Sequence, residues 1–383
     1  MSVWESLVGQ EQAVQVLREA AERPAAMTHA WLITGPPGSG RSVAARAFAA
    51  ALQAGADASA QEDSARTALA GTHPDVTVLA TEKVVITVAE ARGLVSLAQR
   101  APSQGRWRVI VVEDADRMGE QTGNVLLKAI EEPPPRTVWV LCAPSPQDVL
   151  VTIRSRCRLV NLRVPPPQAV ADLLVRRDGV DPDLALACAH EAQSHVGVAR
   201  RLATHAPARE FRGTVLQIAS GIRGVGDAVL AAGRLVDSAT EQSKEATTER
   251  DEREKAELLR SLGAEGGGPV PPALRPQLRQ LEEEQKRRAR RALLDVLDRA
   301  LVDLLSFYRD VLVAQVGSDV ALVNASSGDA VQQVARASTP EVTLRRMDAI
   351  GLARTRISAN AAPLLAIEAM AVALRPQAEA HAH

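Results

Sequence analysis

One eight-residue run limits this chain more than any other. It is GPPGSGRS, Gly35 to Ser42, which follows directly on the apolar run AWLIT (30–34) and opens the helical pattern SVAARAFAAALQ (42–53). A strand, a Gly-rich turn and a helix in that order make the G-x-x-x-x-G-K-[ST] phosphate loop, with Arg41 in place of the Lys. Glycines let backbone N–H groups turn inward around phosphate oxygens, and the helix N-terminus adds its positive end. Gly35, Pro36, Pro37, Gly38, Ser39, Gly40, Arg41 and Ser42 are therefore candidate ATP or ADP contacts, with Ser42 placed to ligate Mg²⁺. Lys delivers a compact charge to the phosphates, whereas Arg is longer, planar and forked. Binding is expected to survive that change and hydrolysis is not. A Gly/Pro turn that binds nothing is the alternative.

Alternation sets the architecture around the loop. AWLIT, DVTVLA (75–80), WRVIVV (107–112), TVWVLC (137–142) and RLVNL (158–162) read as strands buried on both faces. Between them lie the helical patterns 42–53, 88–100 and 123–132, the second opened by a capping box of Thr87 and Glu90. Such alternation predicts a parallel, doubly wound sheet over 1–163. Pro165-Pro166-Pro167 ends it, and 164–205 reads as a small helical domain with Asp181-Pro182 as a helix start. From 206 to 383 the pattern is helical: α/β is followed by all-α. Residues 241–260 mix both charge signs and read as a solvated helix face, 263–276 as a loop, and 281–291 as an acidic-then-basic run. Leu293, Leu297, Leu301, Leu304, Tyr308 and Val311 form a stripe that is core or subunit interface.

Composition excludes several classes. Aromatics are 2% of 383 residues, too few for stacking platforms that read single-stranded nucleic acid. The net charge of −1 gives no global basic field. Cys142, Cys157 and Cys188 form no CxxC pair, so neither a disulfide framework nor a Cys-based zinc site is expected. No apolar run reaches the roughly 18 residues of a membrane span, and MSVWESLVGQEQ lacks a signal pattern, so a cytoplasmic location without membrane contact is expected.

RVIVVEDADRM (108–118) should end a strand on acidic residues beside the phosphate loop, offering Glu113, Asp114 and Asp116. An ATPase of this type reads Asp-Glu, one carboxylate holding Mg²⁺ and the next activating water; here the order is reversed. Carboxylates that merely cap a buried strand are an equal reading.

NVLLKAIEEPP (124–134) and RSRCR (154–158) complete a family pattern. The combination resembles the bacterial clamp-loader AAA+ subunits, in which N-x-L-L-K-x-x-E-E-P-P precedes a Ser-Arg-Cys motif. THAWLITGPPGSGRS, AGTHPDV, the EDADR strand end and Arg41 favour the delta-prime branch of DNA polymerase III over the ATP-hydrolysing gamma/tau branch. The resemblance covers 1–205 and beyond that rests on overall plan.

It implies a RecA-like AAA+ domain, a small helical lid and a helical collar that joins gamma/tau and delta subunits in a hetero-pentameric ring. That ring would load the sliding clamp on primed DNA. It also implies that Arg156, flanked by Ser155 and Cys157, reaches a neighbour's ATP as an arginine finger. Arg154, Arg156 and Arg158, spaced by two, equally fit the solvent face of a strand. Val8-Gly9-Gln10 matches the family's segment beside the adenine, and Arg200 in GVAR (197–200) the sensor-2 position, where a plain helix-face Arg is the commoner reading. No sensor-1 residue is evident in CAPSP (142–146). The four-Cys zinc module of many relatives is replaced by 53–75, which holds only His73, so a metal-free helical excursion without zinc is expected. The chain is expected neither to hydrolyse ATP nor to polymerise DNA by itself. The alternatives are an active gamma/tau-like ATPase and a nucleotide-free scaffold with a relic loop.

Overall fold

The computed structural model describes residues 2–23, 26–54, 58–81, 85–261 and 275–376. They form two compact units, Met1–Thr204 and His205–His383.

The first unit is built on five parallel strands: β1 (Ala30–Thr34), β2 (Val76–Leu79), β3 (Arg108–Val112), β4 (Thr137–Ala143) and β5 (Arg158–Asn161). Their spatial order, β2-β3-β4-β1-β5, places β1 and its phosphate loop beside β4. This is the parallel, doubly wound sheet expected from the alternation. Every residue of β1, β3 and β4 is buried, which explains their unbroken apolar runs.

Alternate side chains feed two cores. On one face Trp31, Ile33, Val109, Val111 and Val140 meet Leu17 of α1 (Glu11–Glu22) and Phe48 of α2 (Arg41–Gln53). Trp31 and Phe48 pack edge to face with centroids 5.0 Å apart. On the other face Leu32, Ile110, Trp139 and Leu141 meet Leu94 of α4 (Val88–Ala98) and Leu126 and Ile130 of α5 (Glu120–Glu131). The α4 capping box forms as expected: the Thr87 side chain accepts from the Glu90 N–H while Glu90 accepts from the Thr87 N–H.

Between α2 and β2 the described part of the 53–75 insertion is one helix, α3 (Ala58–Ala70). A four-residue helix, α6 (Val151–Arg154), precedes β5. Arg154 therefore ends a helix, Arg156 lies in the turn and Arg158 opens β5, so the reading of these three as one strand face is corrected. Three short helices follow: α7 (Pro167–Asp178), α8 (Pro182–Glu191) and α9 (Val196–Thr204). Asp181 caps α8 by accepting from the Asp183 and Leu184 N–H groups.

The regular elements among the described residues of the second unit are helices: α10 (Ala206–Gly221), α11 (Val225–Ser261), α12 (Arg275–Gln315), α13 (Gly328–Arg336), α14 (Pro340–Ser358) and α15 (Pro363–Ala373). The charged stretches at 241–260 and 281–291 are parts of α11 and α12, which pack side by side with Arg288 paired to Asp251 and Glu254. The loop expected at 263–276 lies almost wholly outside the described residues. Leu297, Leu301, Leu304, Tyr308 and Val311 are fully buried, with Leu293 packed against them, so the stripe is core. Beside it a buried polar network joins Asp310 to Asn324, and Arg212 to both Asn324 and Asp303. Among the described residues no helix is long and apolar enough to cross a membrane.

Candidate nucleotide site and arginine finger

The phosphate loop is fixed by its own backbone. Gly35 N–H donates to the Pro144 carbonyl beyond β4 (3.2 Å), and Ser39 N–H to the Pro36 carbonyl (3.1 Å). Gly38 and Gly40 have φ of +85° and +91°, the left-handed region that favours glycine. Gly38 is doubly constrained, because a Cβ there would stand 2.7–2.8 Å from His195 at the start of α9. Ser39 is 3% exposed, and its Oγ has no hydrogen-bond partner. Pro36 and Pro37 are exposed at the turn, and Ser42 is half-buried in the first turn of α2.

Arg41 bends back over this loop, donating from Nη1 to the Gly35 carbonyl at 2.5 Å. Beneath it lies Cys142 near the end of β4, its Sγ 3.8 Å from the Arg41 carbonyl oxygen. Burial pushes that thiol up, and the Glu113 charge adds to the push. Glu113 follows β3 and holds Arg46 of α2, Oε1 to Nε 2.8 Å. Asp114 lies 3.7 Å from Arg117 Nε. After β4, Ser145 caps the short 3-10 helix Pro146–Asp148, so the polar side chain at that position is engaged locally.

The adenine-side residues have unequal roles. Gln10 is buried, and its amide bridges the loop to the exit of β5: Nε2 donates to the carbonyls of Ser39 (3.3 Å) and Arg163 (2.6 Å), while Oε1 accepts from Arg163 N–H (3.1 Å). Gly9, at φ +69°, lets the chain pass 3.0–3.2 Å from Pro165 and Pro166, measured from where a Cβ would be. Val8 and Gly9 line a cavity of about 720 Å³, with Leu7 on the same side and Ala169, Leu173 and Arg176 of α7 opposite. Leu7 also lies 3.4 Å from a Cβ built on Gly40, so the cavity adjoins the phosphate loop.

Arg200 does not reach the loop. Its Nε and Nη2 both bind Asp178 at the end of α7, at 2.9 Å. Asp178 also accepts from Arg177, and despite burial these two guanidiniums hold its carboxyl below the usual range.

At the Ser-Arg-Cys turn the three arginines are held differently. Arg154 donates to the Pro146 carbonyl (3.2 Å). Arg158 donates to the Ala26 carbonyl (2.9 Å) and lies over the Trp31 ring at 5.0 Å. Arg156 is paired with Glu131 of α5 and donates to the Thr152 carbonyl (2.6 Å) and to Ser155 Oγ (3.3 Å). Both members of that pair are over a third exposed. Such a pair contributes roughly 0–1 kcal/mol. Ser155 is exposed and donates to the Thr152 carbonyl (3.1 Å). Cys157 is half-buried, its thiol pushed up to about 12 by burial.

Residues 9–166 match the family described as DNA polymerase III, delta subunit. The Pseudomonas aeruginosa DNA polymerase III subunit delta' is 37% identical over 151 residues, which are 38% of this chain and 45% of that protein. Over this stretch the chain is similar to the delta-subunit family.

The Bacillus subtilis delta' subunit agrees at 27% over 212 residues, covering 55% of this chain and 64% of its own length. The Mycobacterium tuberculosis gamma/tau subunit is 31% identical over 188 residues, 47% of this chain and 32% of that protein. The chain thus spans between 40% and 64% of the delta' relatives at the head of this group. A gamma subunit-related protein of Thermotoga maritima superposes over 95% of this chain and 98% of its own, at 16% identity and a TM-score of 0.42.

Within the first unit the structure brings Gly35 to Ser42 together with Glu113, Asp114 and Gln10, and sets the Val8–Gly9 cavity beside them. It places Arg200 on Asp178, away from that group. Sequence reasoning missed three partners: Arg46, Glu131 and His195. Glu131 stood in the quoted E-E-P-P motif, and Arg46 lies one helical turn from Ser42, so both had a weak signal. His195 had none, since its placement depends on Gln193 and Ser194 both turning left-handed, at φ +49° and +63°.

Proposed function

We propose that this chain is the delta-prime subunit of a bacterial clamp loader, a nucleotide-binding but non-hydrolysing member that lends Arg156 to a neighbour's ATP. The observation that carries this reading is the contrast between its two halves. The machinery for hydrolysis in its own loop is occupied: Arg41 lies on the Gly35 carbonyl and Glu113 on Arg46. The finger, by contrast, is presented at the surface on an exchangeable carboxylate.

In this reading the loop and the adjoining cavity hold ATP or ADP as a structural ligand. Gamma/tau and delta subunits complete a hetero-pentameric ring through the helical second unit. The assembly opens the sliding clamp and places it on primed DNA in the cytoplasm. The segment match to delta' proteins supports the branch, and the occupied Glu113 weighs against the gamma/tau-like ATPase. Mixing the full chain with gamma/tau and delta subunits tests the reading. One stoichiometric complex that loads clamps only when this chain is present is expected. A chain that stays apart from those subunits in size-exclusion chromatography, or a loader equally active without it, would overturn it.

A further inference from the structure

The family plan puts Mg²⁺ beside the phosphate loop, between the hydroxyl at Ser42 and the carboxylates after β3. Mg²⁺ asks for a near-octahedral shell of oxygens, usually several waters with one or two carboxylates and the phosphates of the substrate. The donor set here answers differently. Glu113 is only 12% exposed on its side chain, and its Oε1 is taken by Arg46 Nε at 2.8 Å. Arg46 stands four residues after Ser42 on α2, hence on the same face of that helix, one turn further on. The guanidinium thus reaches the strand-end carboxylate from the helix face that carries the would-be metal ligand. Asp114 faces Arg117 at 3.7 Å.

Charge bookkeeping points the same way. Arg41, Arg46 and Arg117 stand against Glu113, Asp114 and Asp116, three positive charges for three negative ones. A divalent cation is left with no anionic surplus to hold it. What the loop still offers a phosphate oxygen is the Ser39 hydroxyl, buried without a partner beside the glycine turn.

We propose that the loop binds its nucleoside di- or triphosphate as the metal-free anion, because Arg46 occupies Glu113, the carboxylate that would otherwise face Mg²⁺. This rests on the reading of the loop as a nucleotide cradle. A nucleotide so held has no metal to polarise its γ-phosphate, which agrees with a site that binds and does not turn over.

The test is calorimetric titration of ADP and ATP into the full chain, once with excess Mg²⁺ and once with EDTA, at one ionic strength. Because excess Mg²⁺ sequesters the nucleotide as its complex, the apparent dissociation constant is expected to be larger with Mg²⁺ than with EDTA, by about tenfold or more. Arg46→Ala should weaken binding in EDTA by about tenfold or more, the scale of a lost charge-assisted hydrogen bond. Added Mg²⁺ should then restore part of the loss, since Glu113 is released. Arg46→Lys, which keeps the charge, should still bind more weakly with Mg²⁺ and guards against a folding defect in the alanine variant. Binding by the unaltered chain that Mg²⁺ leaves unchanged or tightens would overturn this inference and leave the cradle standing. No binding in either condition would overturn the cradle itself, and the inference with it.

Discussion

Asp75→Asn is expected to destabilise the first unit by about 3 kcal/mol at neutral pH, at the lower end of what removing one partner of a buried ion pair costs. The Asp75 carboxylate is fully buried at the turn into β2. It accepts from the N–H groups of Ser103 (2.8 Å), Gln104 (2.7 Å) and Gly105 (2.7 Å) and from Ser103 Oγ (3.0 Å), and it pairs with Arg108 at 2.9 Å. Burial alone would raise its pKa; the three backbone donors overcome that and lower it from 3.8 to about 2. At about 1.4 kcal/mol per unit, that lowering corresponds to roughly 2.5 kcal/mol. Asparagine turns one acceptor into a donor facing N–H groups and leaves Arg108, 7% exposed, without its counter-charge.

All four tryptophans, Trp4, Trp31, Trp107 and Trp139, belong to the first unit, so tryptophan fluorescence in urea follows that unit alone. The folded carboxyl holds its proton more weakly than the unfolded one. Its contribution is therefore complete above about pH 5 and is lost as pH falls through about 2. The gap between the two proteins should narrow over that window. A difference below about 0.5 kcal/mol at pH 7, the scale of an ordinary surface change, or one indifferent to acid, would refute the reasoning.

Four further outcomes follow from contacts elsewhere in the first unit. Thr87→Ala removes the side-chain half of the α4 capping box and should cost about 1 kcal/mol in the same urea titration. Gly38→Ala asks a left-handed residue to carry a Cβ against His195; a loss of at least 1 kcal/mol is expected, with nucleotide affinity falling in calorimetry. The isolated chain should show no ATP turnover near the ~1 s⁻¹ low end of common enzymes. Arg41→Lys alone should not restore it, because Glu113 remains on Arg46; steady-state phosphate release decides both points.

The strands were legible because they are buried on both faces. AWLIT coincides with β1, and TVWVLC falls one residue short of β4. The Thr87–Glu90 and Asp181-Pro182 signals are local hydrogen-bond devices, and local sequence carries them completely. The phosphate loop was equally plain, since its positive φ angles demand glycine at fixed spacing. What escaped were partnerships across long separations. Gln10 was read for adenine, yet it ties Ser39 to Arg163, 153 residues away from it. Arg200 was read for phosphate, yet it meets Asp178, and no spacing rule links a lid helix to its neighbour's end. The α11 and α12 helices are continuous through charged stretches that carry no apolar stripe of their own, which is why 241–291 read as separate pieces.

Arg156→Ala in a reconstituted loader tests the central claim most directly. The side chain is over a third exposed and its contacts lie at the surface, so stability should move by no more than about 0.5 kcal/mol and the complex should still form. An arginine finger given in trans can be worth ~10³-fold or more at its own site. Clamp- and DNA-stimulated ATPase should therefore fall by one site's share, and clamp loading at matched complex concentration more steeply. Unchanged ATPase and loading in an intact complex would contradict the account and leave Arg156 as a surface partner of Glu131.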